Sequence, residues 1–452
     1  MLVTALLLTL AAAGSPPKAD PRLDALLDAA LSGSKMPAAE VAVVQGGKVV
    51  ASSTRGVREA GKADRVTEAD RFLVGSCTKP MTRMLLLRLA QAGKVDLGKT
   101  LAEVLPDVPM QAAYREASLR DVLRHTAGLQ PYTEITPVKT PGFFELKGKT
   151  PVERRAEFVG KLLMEPPAGE RGRFLYSNAG YALLGVVAER VGGRPWEALV
   201  ADEVFAPLGM KDARLGRTEE LGLGPSAVGH ARTPDGYLPN PRVPPVSGVL
   251  APAGAANLTL ADFAAFAAVE VAAEAGRATT YLGEKAVAEL AGLKGGGGRP
   301  EEGGVALGSE GSFTAGLATW PAKDLAIVVL TNGGFSGEFV EGLAEAVRAA
   351  YAPDARPIQA GPPRPPLGSG PGGAGPRLGV ALRVEPGGDG VVEHVAPGSA
   401  GEALGLVKGD RITAIDGAAP GKLMGELPKA LTKPGARVEV VRDGKALVLT
   451  GK

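Results

Sequence analysis

The spacing of apolar residues changes character twice along the first 350 positions. In "EVAVVQGGKVVASSTRG", residues 40–56, short apolar runs flank Gly46 and Gly47, which predicts two strands joined by a tight turn. From about 76 to 275, stretches such as "MLLLRLAQA", "LRDVLRHTAG" and "YALLGVVAERVGG" carry apolar residues at helical spacing and end on glycine. Strand character returns in "FTAGLATWPAKDLAIVVLTNGG". Strands, a long helical excursion, then strands again predict an α/β (α+β) sandwich: one antiparallel sheet drawn from both ends, flanked by helices, with a helical lobe inserted.

The pattern breaks in "APDARPIQAGPPRPPLGSGPGGAGP", residues 352–376, where proline and glycine leave no apolar period; this reads as a semi-stiff linker. "GLKGGGGRPEEGG", 292–304, reads instead as a loop tip within a domain, because strand-like sequence resumes directly after it. Beyond the linker the expected order is strand 378–384, strand 391–395, a short helix at 400–404, strand 411–415, helix 422–431 and a hairpin turning at Asp443-Gly444. At the other end, residues 2–13 form an apolar run too short to cross a bilayer, followed by small residues and proline, as in a cleaved export signal. The expected organisation is a signal peptide and mature N-terminus at 1–20, a main domain at 21–351, the linker at 352–376 and a small β-rich module at 377–452. The location this implies is exported, periplasmic or extracellular, without a transmembrane span after signal removal.

Composition narrows the chemistry. Fifty-one basic residues stand against 49 acidic ones, interspersed, and aromatics make up only 4%, which argues against a nucleic-acid partner. Cys77 is the single cysteine, so no internal disulfide forms. His125, His230 and His394 are far apart and no metal-ligand spacing occurs, so neither a metal nor any other cofactor is expected. His230 and His394 read as surface or half-buried positions.

Ser-x-x-Lys occurs three times, beginning at Ser15, Ser32 and Ser76, but only the third opens an apolar helical run. Pro80, which lacks an N–H, is comfortable only in a helix's first turn, so Ser76 belongs at or near the helix start. Backbone N–H groups there have no intrahelical partner and suit an oxygen becoming anionic. Three residues is close to one turn, which puts the Ser76 hydroxyl and the Lys79 amine on one face. Cys77 points elsewhere and reads as a small packing residue.

With "GSCTKPMT", "LRHTAGL", "FLYSNAGYALLG" and "PLGMKDA" in this order, residues 38–350 resemble the serine β-lactamase and penicillin-binding family, especially its class C and esterase-like branch. The resemblance implies a β-lactamase-like fold and a serine hydrolase that works through an acyl-enzyme on ester or amide bonds, whose partner is a small-molecule ester or amide or a peptide. It makes Ser76 the acylated nucleophile, gives the proton work to Lys79 and Tyr176 together, and has Asn178 hold a substrate amide or orient Lys79. The third family motif, usually Lys-Thr-Gly or His-x-Gly on a sheet edge, falls by this reading on Ser309, Glu310 and Gly311, with the oxyanion hole on the backbone N–H groups of Ser76 and Ser312. Ser309 in place of a cation removes the charge that attracts a substrate carboxylate, so neutral esters or peptides are expected to be preferred over β-lactams. His125, at a helix end before a glycine stop, reads as structural.

Residues 376–452, above all "GLVKGDRITAIDG", resemble a PDZ domain of the bacterial protease-associated type. That resemblance implies that Arg377, Leu378, Gly379 and Val380 form the loop receiving a peptide's terminal carboxylate, and that protein C-termini are partners of this module. The alternative it opens is a scaffold that captures protein termini, with a weak or silent hydrolase fold attached.

Overall fold

The computed structural model describes residues 20–133, 140–217, 221, 226–233, 235–240, 248–293, 305–358, 380–384, 389–395, 400–419 and 435–450. The chain divides into two compact units, Met1–Thr133 with Leu146–Gly361 and Glu134–Glu145 with Pro362–Lys452.

The first unit is built on a five-stranded antiparallel sheet. Its strands are β1 (Ala38–Gln45), β2 (Lys48–Gly56), β3 (Val305–Ser309), β4 (Thr314–Trp320) and β5 (Leu325–Thr331), in the spatial order β2-β1-β5-β4-β3. The two ends of the domain therefore meet at β1 and β5, where Val41 faces Val329 and Val43 faces Ile327. Gly46 and Gly47 turn β1 into β2 with φ of 60° and 73°, a left-handed pair that glycine adopts without steric cost.

On one face of the sheet Ala39, Val41, Val43, Ile327 and Val329 pack against α1 (Pro21–Ser32) and, from near the C-terminal end of the unit, Val340, Leu343 and Val347. Asp20 caps α1 by accepting the Arg22 N–H, and Pro21 occupies its first turn. The helical lobe lies between β2 and β3 in sequence. At its centre is α2 (Thr78–Gln91), buried nearly all round although it carries Lys79, Thr82 and Arg83, and packed on α3 (Asn178–Gly192). A further helix, α4 (Leu260–Glu274), opens with a Thr259–Asp262 capping box and closes the opposite face of the sheet against β1 and β5. The last helix of the unit, α5, is Gly337–Tyr351.

The second unit contains a five-stranded antiparallel sheet of β6 (Val380–Val384), β7 (Gly390–Val395), β8 (Arg411–Ile415), β9 (Arg437–Arg442) and β10 (Lys445–Thr450), neighbours in sequence being neighbours in space. A helical turn, Ala400–Ala403, lies where a short helix is expected, and Asp443 and Gly444 form the last hairpin turn with φ of 50° and 77°. Val392, Leu406, Ile412, Ile415, Val438 and Val440 make its core. The buried Asp410 explains part of "GLVKGDRITAIDG": its carboxylate accepts the Val407 N–H and pairs with Arg442, and these partners hold its pKa below the usual value against the opposing effect of burial. Arg377, Leu378 and Gly379, the side chain of Val380, the expected helix at 422–431, the linker core at 359–376 and the apolar run at 2–13 lie outside the described residues. No helix among the described residues is long and apolar enough to cross a membrane.

Candidate active site

The turn that carries Ser76 is shaped by its neighbours. Phe72 and Leu73 pair with Leu258 and Asn257, and the Val74 N–H continues the pairing to the Ala256 carbonyl at 2.9 Å. Gly75 then turns with φ of 50° and opens a short 3₁₀ segment, Gly75–Cys77, that runs directly into α2. Ser76 thus lies two residues before the first residue of α2, near the helix start as expected, and Pro80 sits in the first turn of α2.

Four side chains converge there. Ser76 Oγ lies 2.6 Å from the Tyr176 hydroxyl and 3.1 Å from Lys79 Nζ. Lys79 Nζ also lies 2.8 Å from Asn178 Oδ1 and 2.9 Å from the Ala253 carbonyl oxygen. Asn178 Nδ2 donates to the Tyr132 carbonyl at 3.0 Å, which fixes its amide with the oxygen toward Lys79. The Ala253 carbonyl has no counterpart in the sequence analysis: a backbone acceptor leaves no side-chain signal.

Two of the three groups around Lys79 Nζ are carbonyl oxygens, so each takes one N–H. The third position faces Ser76 Oγ, where a neutral amine offers its lone pair and an ammonium its last proton. Lys79 is only 5% exposed, and burial without a carboxylate partner pulls its pKa down to about 7, so both forms are populated near neutrality. Tyr176 moves the other way: burial raises its pKa, outweighing the Ser76 hydrogen bond, and keeps it a phenol at neutral pH.

His125 supports this group. It is buried, adopts φ of 59°, and its ring lies 4.7 Å from the Tyr176 ring and 5.2 Å from that of Tyr181. Its Nδ1 accepts the Ser177 N–H at 3.1 Å, which ties the turn after the preceding helix to the start of α3. Burial, with a smaller contribution from Lys79, lowers its pKa to about 3, so the ring is neutral.

Of the glycines near the expected third motif, Gly308 and not Gly311 is the one set against the Ser76 turn. A β-carbon on Gly308 would stand 2.0 Å from the Val74 carbonyl, 2.6 Å from Cys77 N and 2.7 Å from Ser76 N, so the edge strand β3 presses on the Ser76 turn at Gly308. Ser309 follows it closely: a β-carbon on Gly75 would stand 2.6 Å from Ser309 N. Gly311 instead turns away, its carbonyl against Gly334. Ser312 is fully buried and its N–H donates to Glu310 Oε1 at 3.0 Å, which removes it as an oxyanion donor. The two residues before Gly308 on β3, Ala306 and Leu307, carry no charge. Ser309 keeps its side chain in the adjoining loop, donating to the Phe313 carbonyl at 2.6 Å and accepting the Phe335 N–H at 3.1 Å.

Cys77 is buried with Sγ 3.4 Å from the Ala306 carbonyl, and burial raises its thiol to about 12. His230 departs from the surface position expected of it. It is fully buried, with Nε2 accepting the Ala60 N–H at 2.9 Å and Nδ1 2.8 Å from the Asn332 carbonyl, ties that join segments far apart in sequence. The His394 side chain lies outside the described residues. No group of three or more His, Cys, Asp or Glu among the described residues could hold a metal ion.

A Beta-lactamase family model matches residues 23–352, and the chain belongs to this family. It is 29% identical over 210 residues to the esterase EstB of Burkholderia gladioli, a match covering 42% of this chain and 50% of that protein. It is 24% identical over 193 residues to a penicillin-binding protein of Bacillus subtilis strain 168, covering 42% and 40%. The chain therefore spans half or less of the length of these two relatives. Among solved structures, a class C β-lactamase from Rhodobacter sphaeroides aligns with a TM-score of 0.56 at 19% identity, over 73% of this chain and 99% of that one. This last likeness is one of fold.

Proposed function

We propose that the chain is a serine hydrolase that cleaves ester or amide bonds through an acyl-enzyme on Ser76. The observation that carries the reading is the Ser76 hydroxyl lying between a buried amine at 3.1 Å and a phenol at 2.6 Å. In the proposed reaction Ser76 Oγ bonds to the substrate's carbonyl carbon while its proton passes to neutral Lys79, directly or through the Tyr176 hydroxyl. The oxyanion so formed is stabilised by the N–H groups of Ser76 and Ser309. Collapse breaks the bond to the alkoxide or amine, which takes the proton back from Lys79 by way of Tyr176, and acyl-Ser76 remains. A water, deprotonated along the same route, then attacks the acyl carbon and releases the acid and free Ser76. Lys79 is the better base because burial lowers its pKa while it raises that of Tyr176.

The absence of a cation at Ala306 favours neutral substrates over those with a carboxylate beside the scissile bond. Export is inferred from the apolar run at 2–13, and capture of peptide C-termini by residues 377–452 from "GLVKGDRITAIDG". The test is intact-mass analysis after exposure to an ester panel, penicillin and a D-alanyl peptide, with Ser76→Ala alongside. An acyl adduct from neutral esters that is lost in Ser76→Ala is the expected result. No adduct from any substrate would overturn the hydrolase reading, and nitrocefin turnover equal to ester turnover would overturn the preference.

A further inference from the structure

The loop after β5 reads "TNGGFSG", and its Phe335 is an outlier on two counts. Its φ is 52°, in the left-handed region that bulky side chains avoid, although two glycines stand directly before it. Its side chain is not there to fill the core, since the residue is 39% exposed in a chain with few aromatics. Strain held at an exposed aromatic calls for a use outside packing.

The conformation is held from the side of the candidate site. The Phe335 N–H donates to Ser309 Oγ at 3.1 Å, and the Ser336 N–H donates to Thr314 Oγ1 at 3.0 Å. Arg232 Nη1 donates to the Phe335 carbonyl at 3.2 Å. Ser309 is the residue whose backbone nitrogen lies against Gly75, so Phe335 is one hydrogen bond removed from the second oxyanion donor. On the Tyr176 side a second aromatic, Phe174, is 54% exposed with its ring edge-on to His125 at 5.9 Å. An edge strand without a cation at Ala306 and half-exposed aromatic rings suit an apolar, uncharged group.

From this we infer that Phe335 is a specificity-determining residue whose ring forms an apolar wall of the substrate cleft, selecting neutral esters that carry a hydrophobic chain. This rests on the hydrolase reading above and adds the chemical class of the group bound. An acyl or alcohol chain laid against the ring loses water from both surfaces, so kcat/KM grows with chain length until the wall is covered.

The test uses the full chain and two ester series, p-nitrophenyl acetate to octanoate and methyl to octyl acetate, with Phe335→Gly and Phe335→Leu. Wild type is expected to gain at least about tenfold in kcat/KM along one series, since each buried methylene contributes about 0.8 kcal/mol. Phe335→Gly should flatten that gain to within about threefold, with Phe335→Leu between the two. Because glycine tolerates the backbone conformation, Phe335→Gly should melt no lower than wild type. A chain-length dependence that is absent from wild type, or unchanged in Phe335→Gly, overturns the inference, as does a fall in melting temperature of more than about 5 °C without a change in selectivity. Labelling of Ser76 by a small fluorophosphonate separates the two readings: no labelling defeats the hydrolase reading, while labelling with unaltered selectivity defeats this one alone.

Discussion

Gly308 stands so close to Ser76 that a β-carbon on it would lie 2.7 Å from the Ser76 nitrogen and 2.0 Å from the carbonyl of Val74. Neither contact can be relieved by a side-chain rotation, because both partners are backbone atoms of the turn that carries Ser76. Gly308→Ala is therefore expected to push β3 away from Ser76, separate the two oxyanion N–H groups and lower kcat/KM by at least about a hundredfold, the cost of losing one such donor. Gly342 is the control. A β-carbon there meets nothing within 4 Å, and Gly342→Ala in α5 should leave esterase kinetics unchanged and stabilise the fold by about 0.5–1 kcal/mol. Steady-state kinetics and urea melts of the two variants check both halves.

The second prediction concerns pH. With its pKa lowered to about 7 by burial, Lys79 should give the acid limb of kcat/KM a midpoint near 7. Lys79→Arg should abolish turnover despite keeping the charge, because guanidinium stays protonated. The same burial costs stability. Between about pH 7 and 10.5, the ordinary value for lysine, the unfolded chain holds a proton on Lys79 that the folded chain has released, so this group's contribution to stability rises with pH across that window, and its full penalty applies below it. Lys79→Met should accordingly gain most in melting temperature over wild type at pH 6 and lose that advantage toward pH 10. A gain that grows with pH would contradict the assignment.

The sheet was legible because its strands are short apolar runs at both ends of the domain, and the pairing of β1 with β5 follows once the middle reads as helical. Ser76 and Lys79 were legible because Pro80 marks a helix's first turn. Tyr176 and Asn178 needed the resemblance, since a Tyr-x-Asn before a helix is by itself an ordinary cap. Which glycine of "LGSEGSFTAG" meets Ser76 was not legible, because Gly308 and Gly311 stand three residues apart and only the contact of Gly308 with the Ser76 turn, a property of the tertiary structure, separates them. His230 was misread for a related reason: the backbone groups of Ala60 and Asn332 that satisfy its ring are distant in sequence.

A third prediction follows from the stacking of His125 on Tyr176. The imidazole does two separable things: its Nδ1 accepts the Ser177 N–H, and its faces keep water from the Tyr176 and Tyr181 rings against which Lys79 lies. His125→Asn keeps an acceptor near the Nδ1 position and tolerates φ of 59° but removes the ring. It should admit water, move the acid limb of kcat/KM upward and lower kcat about tenfold. His125→Phe keeps the ring and should lower the melting temperature while leaving the acid limb in place. Profiles for the two variants that coincide with each other and with wild type would assign the residue a packing role alone.

The last prediction concerns a carboxyl group far from the chemistry. Glu40, on β1, is fully buried, and the hydroxyl of its cross-strand neighbour Thr54 is all that favours its charged form. Burial, reinforced by the negative charges of Asp70 and Glu68, raises its pKa well above the ordinary value, so the folded chain keeps a proton there that the unfolded chain releases above about 4.5. The folded state binds the extra proton, and stability must therefore fall as pH rises above that value, opposite in sign to the Lys79 effect. Glu40→Met has no proton to lose and fills a similar volume in an apolar layer. Its advantage over wild type in urea melts should be small at pH 4.5 and grow toward pH 8 by up to about 1.4 kcal/mol per pH unit while folded Glu40 keeps its proton. An advantage that does not change between these two pH values would mean that Glu40 ionises alike in the folded and unfolded chain, and that the Thr54 hydroxyl offsets its burial.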